Sequence, residues 1–185
     1  MTYDRGRLEF TSPLHAHENY GSLICQMIWA YTLERRIDRH SGRSTTLRRE
    51  SEQRGLEPDD CFWIQNEHRM RGRKDFDAER DPPPDLAVEI DITTSSLPRM
   101  SIYATLGVPE VWRFDGETLT INLLREGGGY EETASGVALP ELTTDVVTRF
   151  LLMSDQMSEV ECIAAFVDWV REEAPAKGRK RPRKK

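Results

Sequence analysis

Tyr20, Ile24, Met27, Ile28 and Tyr31 recur at three- and four-residue spacing, which draws one apolar stripe along a helix from about 17 to 37. Leu23 and Trp29 widen that face, and so broad a stripe predicts packing against a sheet. Before it, Arg7-Leu8-Glu9-Phe10 reads as a short strand that ends at the Ser12-Pro13 break. After it, residues 38–43 are polar and contain Gly42, the signature of a loop. Thr45-Thr46-Leu47 is β-prone, and Pro58-Asp59 opens a second strand, Cys61-Phe62-Trp63-Ile64.

Residues 65–84 are strongly charged and end in three prolines. A connection of that length inside a compact domain is often functional or mobile. The clearest strand follows. Along residues 85–92, Leu86, Val88, Ile90 and Ile92 fall on one face, and Asp85, Ala87, Glu89 and Asp91 on the other. Thr93 to Ser96 offer capping hydroxyls, Pro98 suits a first helical turn, and the helix so begun stops at Gly107. Residues 110–115 and 118–124 form two strands about a Gly116-Glu117 turn, a hairpin. A last helix, about 158–172, presents Val160, Ile163, Ala164, Val167 and Val170. No internal repeat is visible. The order of elements defines a mixed α/β (α+β) protein without fixing its topology.

Composition narrows the class. At 185 residues the chain suits one domain, placed at 1–174, followed by a basic tail at 175–185 that is expected to be disordered. No apolar run approaches the ~20 residues that span a bilayer, and Met1-Thr2-Tyr3-Asp4-Arg5 lacks the pattern of a secretory signal. Cys25, Cys61 and Cys162 are scattered and odd in number, which suits a reducing cytoplasm and suggests neither a zinc site nor a disulfide framework. The net charge is −6, yet residues 177–185 hold seven of the 26 basic groups. The remainder carries 19 basic against 32 acidic side chains, near −13. An acidic body binds nucleic acid poorly without specific phosphate contacts, and the tail could compensate as a tether.

The chemistry on offer is carboxylate chemistry. Glu89 and Asp91 project from one strand face with Cα atoms ~6.6 Å apart, and such carboxylates can be ligands of a hard divalent cation or simply solvent-exposed. Asp85 lies ~13 Å from Glu89 along an extended chain, too far to share its ion, and is placed to cap the strand or contact the charged loop. Asp59, at the start of the preceding strand, meets Glu89 if the two strands pair; the plainer reading is a turn residue. Arg99, in the first turn of the next helix, can stabilise charge developing on a phosphate.

Three segments in this order, 57–62, 84–90 and 103–112, resemble the Uma-type restriction endonuclease family of the PD-(D/E)XK superfamily. The likeness runs from about Tyr3 to Leu124. It implies a restriction-endonuclease-like mixed sheet flanked by helices, and Mg²⁺- or Mn²⁺-dependent hydrolysis of DNA phosphodiester bonds. Asp59 matches the first acidic position of the family, Glu89 the second, and Asp85 an acidic position of the same motif; Asp91 or water completes the metal shell. The superfamily lysine two residues after the glutamate is Asp91 here. The lysine common in the family four residues before the helical tyrosine is Arg99. Arginine keeps the charge but does not readily give up a proton. Many nucleases of this fold act as dimers, so a homodimer is expected. The alternative is a catalytically weakened relative that binds nucleic acid or a protein partner.

Other residues weigh less. His15, His17 and Glu18 sit at the start of the first helix, where Glu18 is either an outer metal ligand or an acid favoured by the helix end. Tyr103 and Trp112 read as core aromatics. The run Arg69-Met70-Arg71-Gly72-Arg73-Lys74 suits either a DNA backbone or a solvated loop.

Overall fold

A computed structural model describes residues 1–10, 12, 14–92 and 96–172. Its centre is a six-stranded sheet in the order β10-β9-β8-β7-β6-β3. These strands are β3 (His40–Ser41), β6 (Asp60–Trp63), β7 (Leu86–Ile90), β8 (Glu110–Phe114), β9 (Leu119–Leu124) and β10 (Tyr130–Thr133). Only β7 and β8 run parallel; the other neighbours are antiparallel. A second, antiparallel sheet, β2-β1-β5-β4, is built from three-residue strands: β1 (Thr2–Asp4), β2 (Arg7–Glu9), β4 (Leu47–Arg49) and β5 (Arg54–Leu56).

Helices cover both faces of the large sheet. On one, α1 (His15–Arg35), α4 (Thr144–Met153) and α5 (Glu159–Glu172) pack on Phe62, Leu86, Val88, Ile90, Trp112 and Ile121. The predicted stripe of α1 supplies Leu23, Ile24, Met27, Ile28 and Tyr31 to this core. Trp29 does not join them. It is 54 % exposed on the outer side of the helix, beneath the Arg39 guanidinium. The opposite face of the sheet offers Ala87 and Val111 to α3 (Arg99–Leu106), and Leu47 and Leu56 of the small sheet complete that layer.

β7 is therefore buried on both sides, as a strand next to a parallel partner usually is. The alternation of its sequence predicts one wet face; instead Glu89 is 4 % exposed and must find partners inside the protein. The long connection 65–84 is also better packed than its composition suggests. It contains the short α2 (Glu67–Met70), and its Pro82 carbonyl accepts the indole N–H of Trp63 at 2.8 Å. Within it Arg73 chelates Asp81 and Arg71 pairs with Glu67. The basic run so contributes less free charge than the sequence implies.

The helix after β7 begins at Arg99, two to three residues later than its capping pattern predicts. Thr93, Thr94 and Ser95 lie outside the described residues, the Ser96 hydroxyl donates to Glu9, and the residue at the N-cap is Pro98, whose side chain accepts no capping hydrogen bond. At its other end Gly107, at φ 77°, takes the left-handed turn that closes the helix. The basic tail and the 174/175 boundary also fall outside the described residues.

Candidate active site

Antiparallel pairing sets Asp60 opposite Val88, and one further step in that register sets Asp59 opposite Glu89. The Asp59 backbone N–H donates to the Val88 carbonyl at 3.2 Å, and the Ile90 N–H donates to Asp59 Oδ2 at 2.7 Å. The carboxylate of Asp59 is thus pinned to the end of β7 by a strand neighbour 31 residues away.

Glu89 points into the α3 layer. Its Oε1 accepts from both the Arg99 guanidinium and the Tyr103 hydroxyl. Arg99 in turn donates to the Thr2 hydroxyl and, at 2.9 Å, to the Glu57 carbonyl, so it ties the small sheet and the approach to β6 to the buried glutamate. Burial pushes the Glu89 carboxyl up to about 7; the Arg99 charge opposes the shift and Asp59 adds to it. Asp59 is likewise raised by burial, against the pull of the Ile90 N–H and of His17. Burial also works to lower the Arg99 guanidinium, but the Glu89 carboxylate holds it above its ordinary value. Tyr103 is raised by burial and then by the Glu89 charge.

Asp59 faces a cleft of about 560 Å³ lined by His17, Glu18, Arg43, Glu57 and Asp60, among others. The N-terminal turn of α1 brings His17 Nε2 to 3.2 Å from Asp59 Oδ2. Asp60, beside Asp59, turns its buried carboxylate to Arg43 at 2.8 Å. Two polar atoms here are buried without a hydrogen bond: His17 Nδ1 and Arg99 Nε.

Of the five residues singled out from the sequence, Asp59, Glu89 and Arg99 form one electrostatic cluster. Asp91 sits at its margin: its charge raises Asp59, while its Oδ2 accepts from Arg113 at 2.6 Å. Asp85 lies at the opposite end of β7, where it accepts from the Ile64 and Asn66 N–H groups at 2.7 and 2.9 Å and from the Asn66 side chain. These contacts tie the start of β7 to the end of β6 and to the charged connection, and Asp85 is not among the residues that line the cleft.

The sequence reading missed two contacts, the Tyr103 hydroxyl on Glu89 and the His17 imidazole on Asp59. Tyr103 stands four residues after Arg99, one helical turn on, which was the available signal for the first. Nothing local signals the second.

The donor set suits a divalent cation. Asp59 and Glu89 offer oxygen, and His17 offers a nitrogen. Among the described residues no three His, Cys, Asp or Glu side chains converge as a cage. Mg²⁺ ordinarily keeps several waters and takes only one or two carboxylates, so two carboxylates and an open cleft fit it.

The architecture is a mixed sheet between helices, an α/β fold in which the strand register sets Asp59 opposite Glu89. A crystal structure from Anabaena variabilis, described as a putative nuclease belonging to DUF820, shares this fold with a TM-score of 0.55. The two are 15 % identical, over 81 % of this chain and 90 % of that one. Residues 1–151 match the Uma2 family, described as "Putative restriction endonuclease", and the chain belongs to that family. No curated protein matches the sequence. Among the described residues no helix is long and apolar enough to cross a membrane, and all three thiols are free.

Proposed function

We propose that the protein is a Mg²⁺- or Mn²⁺-dependent endonuclease that hydrolyses DNA phosphodiester bonds where β6 starts and β7 ends. The observation that supports this best is the register of two antiparallel strands that sets Asp59 opposite Glu89, with Asp59 in the wall of an open cleft. Asp59 and Glu89 would hold the ion, and Asp91 adds negative charge from its pair with Arg113. A divalent ion bound there supplies Lewis-acid polarisation of the phosphoryl group and acidifies water near neutral pH.

The chain's own residues do the rest. Arg99 fixes Glu89 Oε1 and keeps a permanent positive charge at the site. Tyr103 locks the same oxygen from the core side. In the overall reaction a water molecule gives up a proton to solvent as its oxygen bonds to phosphorus, the phosphorus–ester oxygen bond breaks, and the leaving oxygen takes a proton from solvent. DNA is the substrate, the active unit is a homodimer, and the compartment is the cytoplasm.

A second reading has its own observation. Because Arg99 and Tyr103 both occupy Glu89 Oε1, they compete with a cation for it. A protein so locked binds nucleic acid, or a protein partner, without cutting. Supercoiled plasmid incubated with Mg²⁺ or Mn²⁺ separates the two: nicking that disappears in both Asp59→Asn and Glu89→Gln supports the nuclease. Retarded but uncut plasmid supports the binder. Nicking that survives both substitutions sinks the assignment of the site.

A further inference from the structure

We infer that His17 is a ligand of the metal ion, so that the site is tuned to Mn²⁺ over Mg²⁺; this rests on the nuclease reading. His17 Nε2 and Asp59 Oδ2 stand 3.2 Å apart, in the wall of one cleft. Two ligands each ~2.1 Å from one ion and at right angles to each other are about 3 Å apart, so the pair already has the spacing of neighbouring ligands. Nδ1, the ring's other nitrogen, is buried and makes no hydrogen bond, and Glu18 Oε1 lies 3.4 Å from it. A ligating imidazole ordinarily hands its second N–H to a carboxylate, which fixes the tautomer and turns the first nitrogen to the ion. Glu18 is 67 % exposed and free to close that gap.

The rest of the site points the same way. Arg99 and Tyr103 hold Glu89 Oε1, which weakens the glutamate as a ligand and shifts the ion's anchorage toward Asp59 and its neighbours. Of the groups that line the cleft, His17 is the one brought to 3.2 Å from the Asp59 carboxylate. Mg²⁺ prefers oxygen throughout; Mn²⁺ favours oxygen too, but as a first-row transition ion it accepts an imidazole nitrogen more readily than Mg²⁺ does. A nitrogen ligand therefore raises affinity for Mn²⁺ and does little for Mg²⁺.

The test is direct metal binding by the full-length protein, without DNA. Mn²⁺ is followed by electron paramagnetic resonance and by calorimetry, and Mg²⁺ by calorimetry. In His17→Gln, Mn²⁺ affinity is expected to fall about 10- to 100-fold while Mg²⁺ affinity holds, and Glu18→Gln should show a smaller loss with the same sign. Hyperfine coupling from an imidazole nitrogen should be present in the Mn²⁺ protein and absent from His17→Gln. Circular dichroism of each variant verifies folding. If both ions bind through Asp59 but His17→Gln changes neither affinity, or changes both equally, His17 is no ligand while the nuclease reading stands. If neither ion binds, or binding survives Asp59→Asn, both readings fail together.

Discussion

β7 carries buried carboxylates at both its ends, and they keep different company. At its start, Asp85 accepts three N–H groups from Ile64 and Asn66, and Glu110, at the start of the parallel β8, accepts from Val137, Ala138 and the Trp112 indole. Every one of those partners is a neutral amide or indole donor. At the other end the buried Glu89 accepts from Arg99 and Tyr103, and the partly exposed Asp59 has His17 beside it as well as the Ile90 N–H. A buried acid that is satisfied by amides is an anchor: its donors are fixed by the fold and have nothing to exchange. An acid beside charged and titratable side chains and an open cleft is suited to chemistry. Burial alone does not distinguish the two ends; the kind of partner does.

The largest effect should separate the ends by activity. Glu89→Gln or Asp59→Asn is expected to cut plasmid nicking by about 100-fold or more, the scale of losing one charge-stabilising group. Asp85→Asn and Glu110→Gln should leave nicking by the folded protein unchanged. Equal losses at both ends would erase the contrast. Stability should rank the ends in reverse order. Glu110→Ala strands three donors, and each buried donor left unmade costs about 1–3 kcal/mol, read as a lower midpoint in urea. Gly136→Ala tests the same anchor from outside. A Cβ there would sit 2.0 Å from Glu110 Oε1, so an overpacking loss of about 1–3 kcal/mol is expected. A Gly136→Ala protein as stable as the parent would show that Glu110 is not held as described.

Acidity offers a gentler discrimination. The Glu89 carboxyl is raised from 4.5 to about 7, so the folded protein binds this proton more tightly than the unfolded chain does. The stability that comes from protonated Glu89 is complete below about 4.5 and is lost as pH climbs through about 7. Metal-free protein should therefore lose stability over that window, and Glu89→Gln should flatten the decline. A decline identical in the variant would assign it to another group.

Much of this arrangement is legible in the sequence. α1, β7, the β8–β9 hairpin, α3 and α5 each carry a long periodic stripe, a turn glycine or an alternating run, and all of them are present. The small sheet was mostly illegible, for a physical reason. Strands of three residues such as Thr2–Asp4 and Arg54–Leu56 have no period to read, and they exist because they pair with each other across 50 residues. α4 did carry local signals: Thr143 caps it by accepting from the Val146 N–H, and Val147, Phe150 and Leu151 follow at helical spacing. At the site, Asp59 and Glu89 could be paired once strand order was supposed. His17 could not be, because only the packing of α1 on β7 brings it over a residue 42 positions away.

Arg99 belongs to both sides of the comparison, which makes its substitution the finest of the tests. As an anchor it joins Thr2, Glu57 and Glu89, and a lysine would keep at most part of that set. As a member of the site it stands where the family commonly has a lysine, and lysine can release a proton where arginine does not. Arg99→Lys should then lower stability by about 1 kcal/mol, the net worth of a hydrogen bond or so, and raise the nicking rate several-fold. The rate and the denaturation midpoint, measured on one preparation, give two independent answers. A lowered midpoint with an unchanged rate would move Arg99 to the company of Asp85 and Glu110, as a residue that holds the small sheet against β7 and takes no part in cutting DNA.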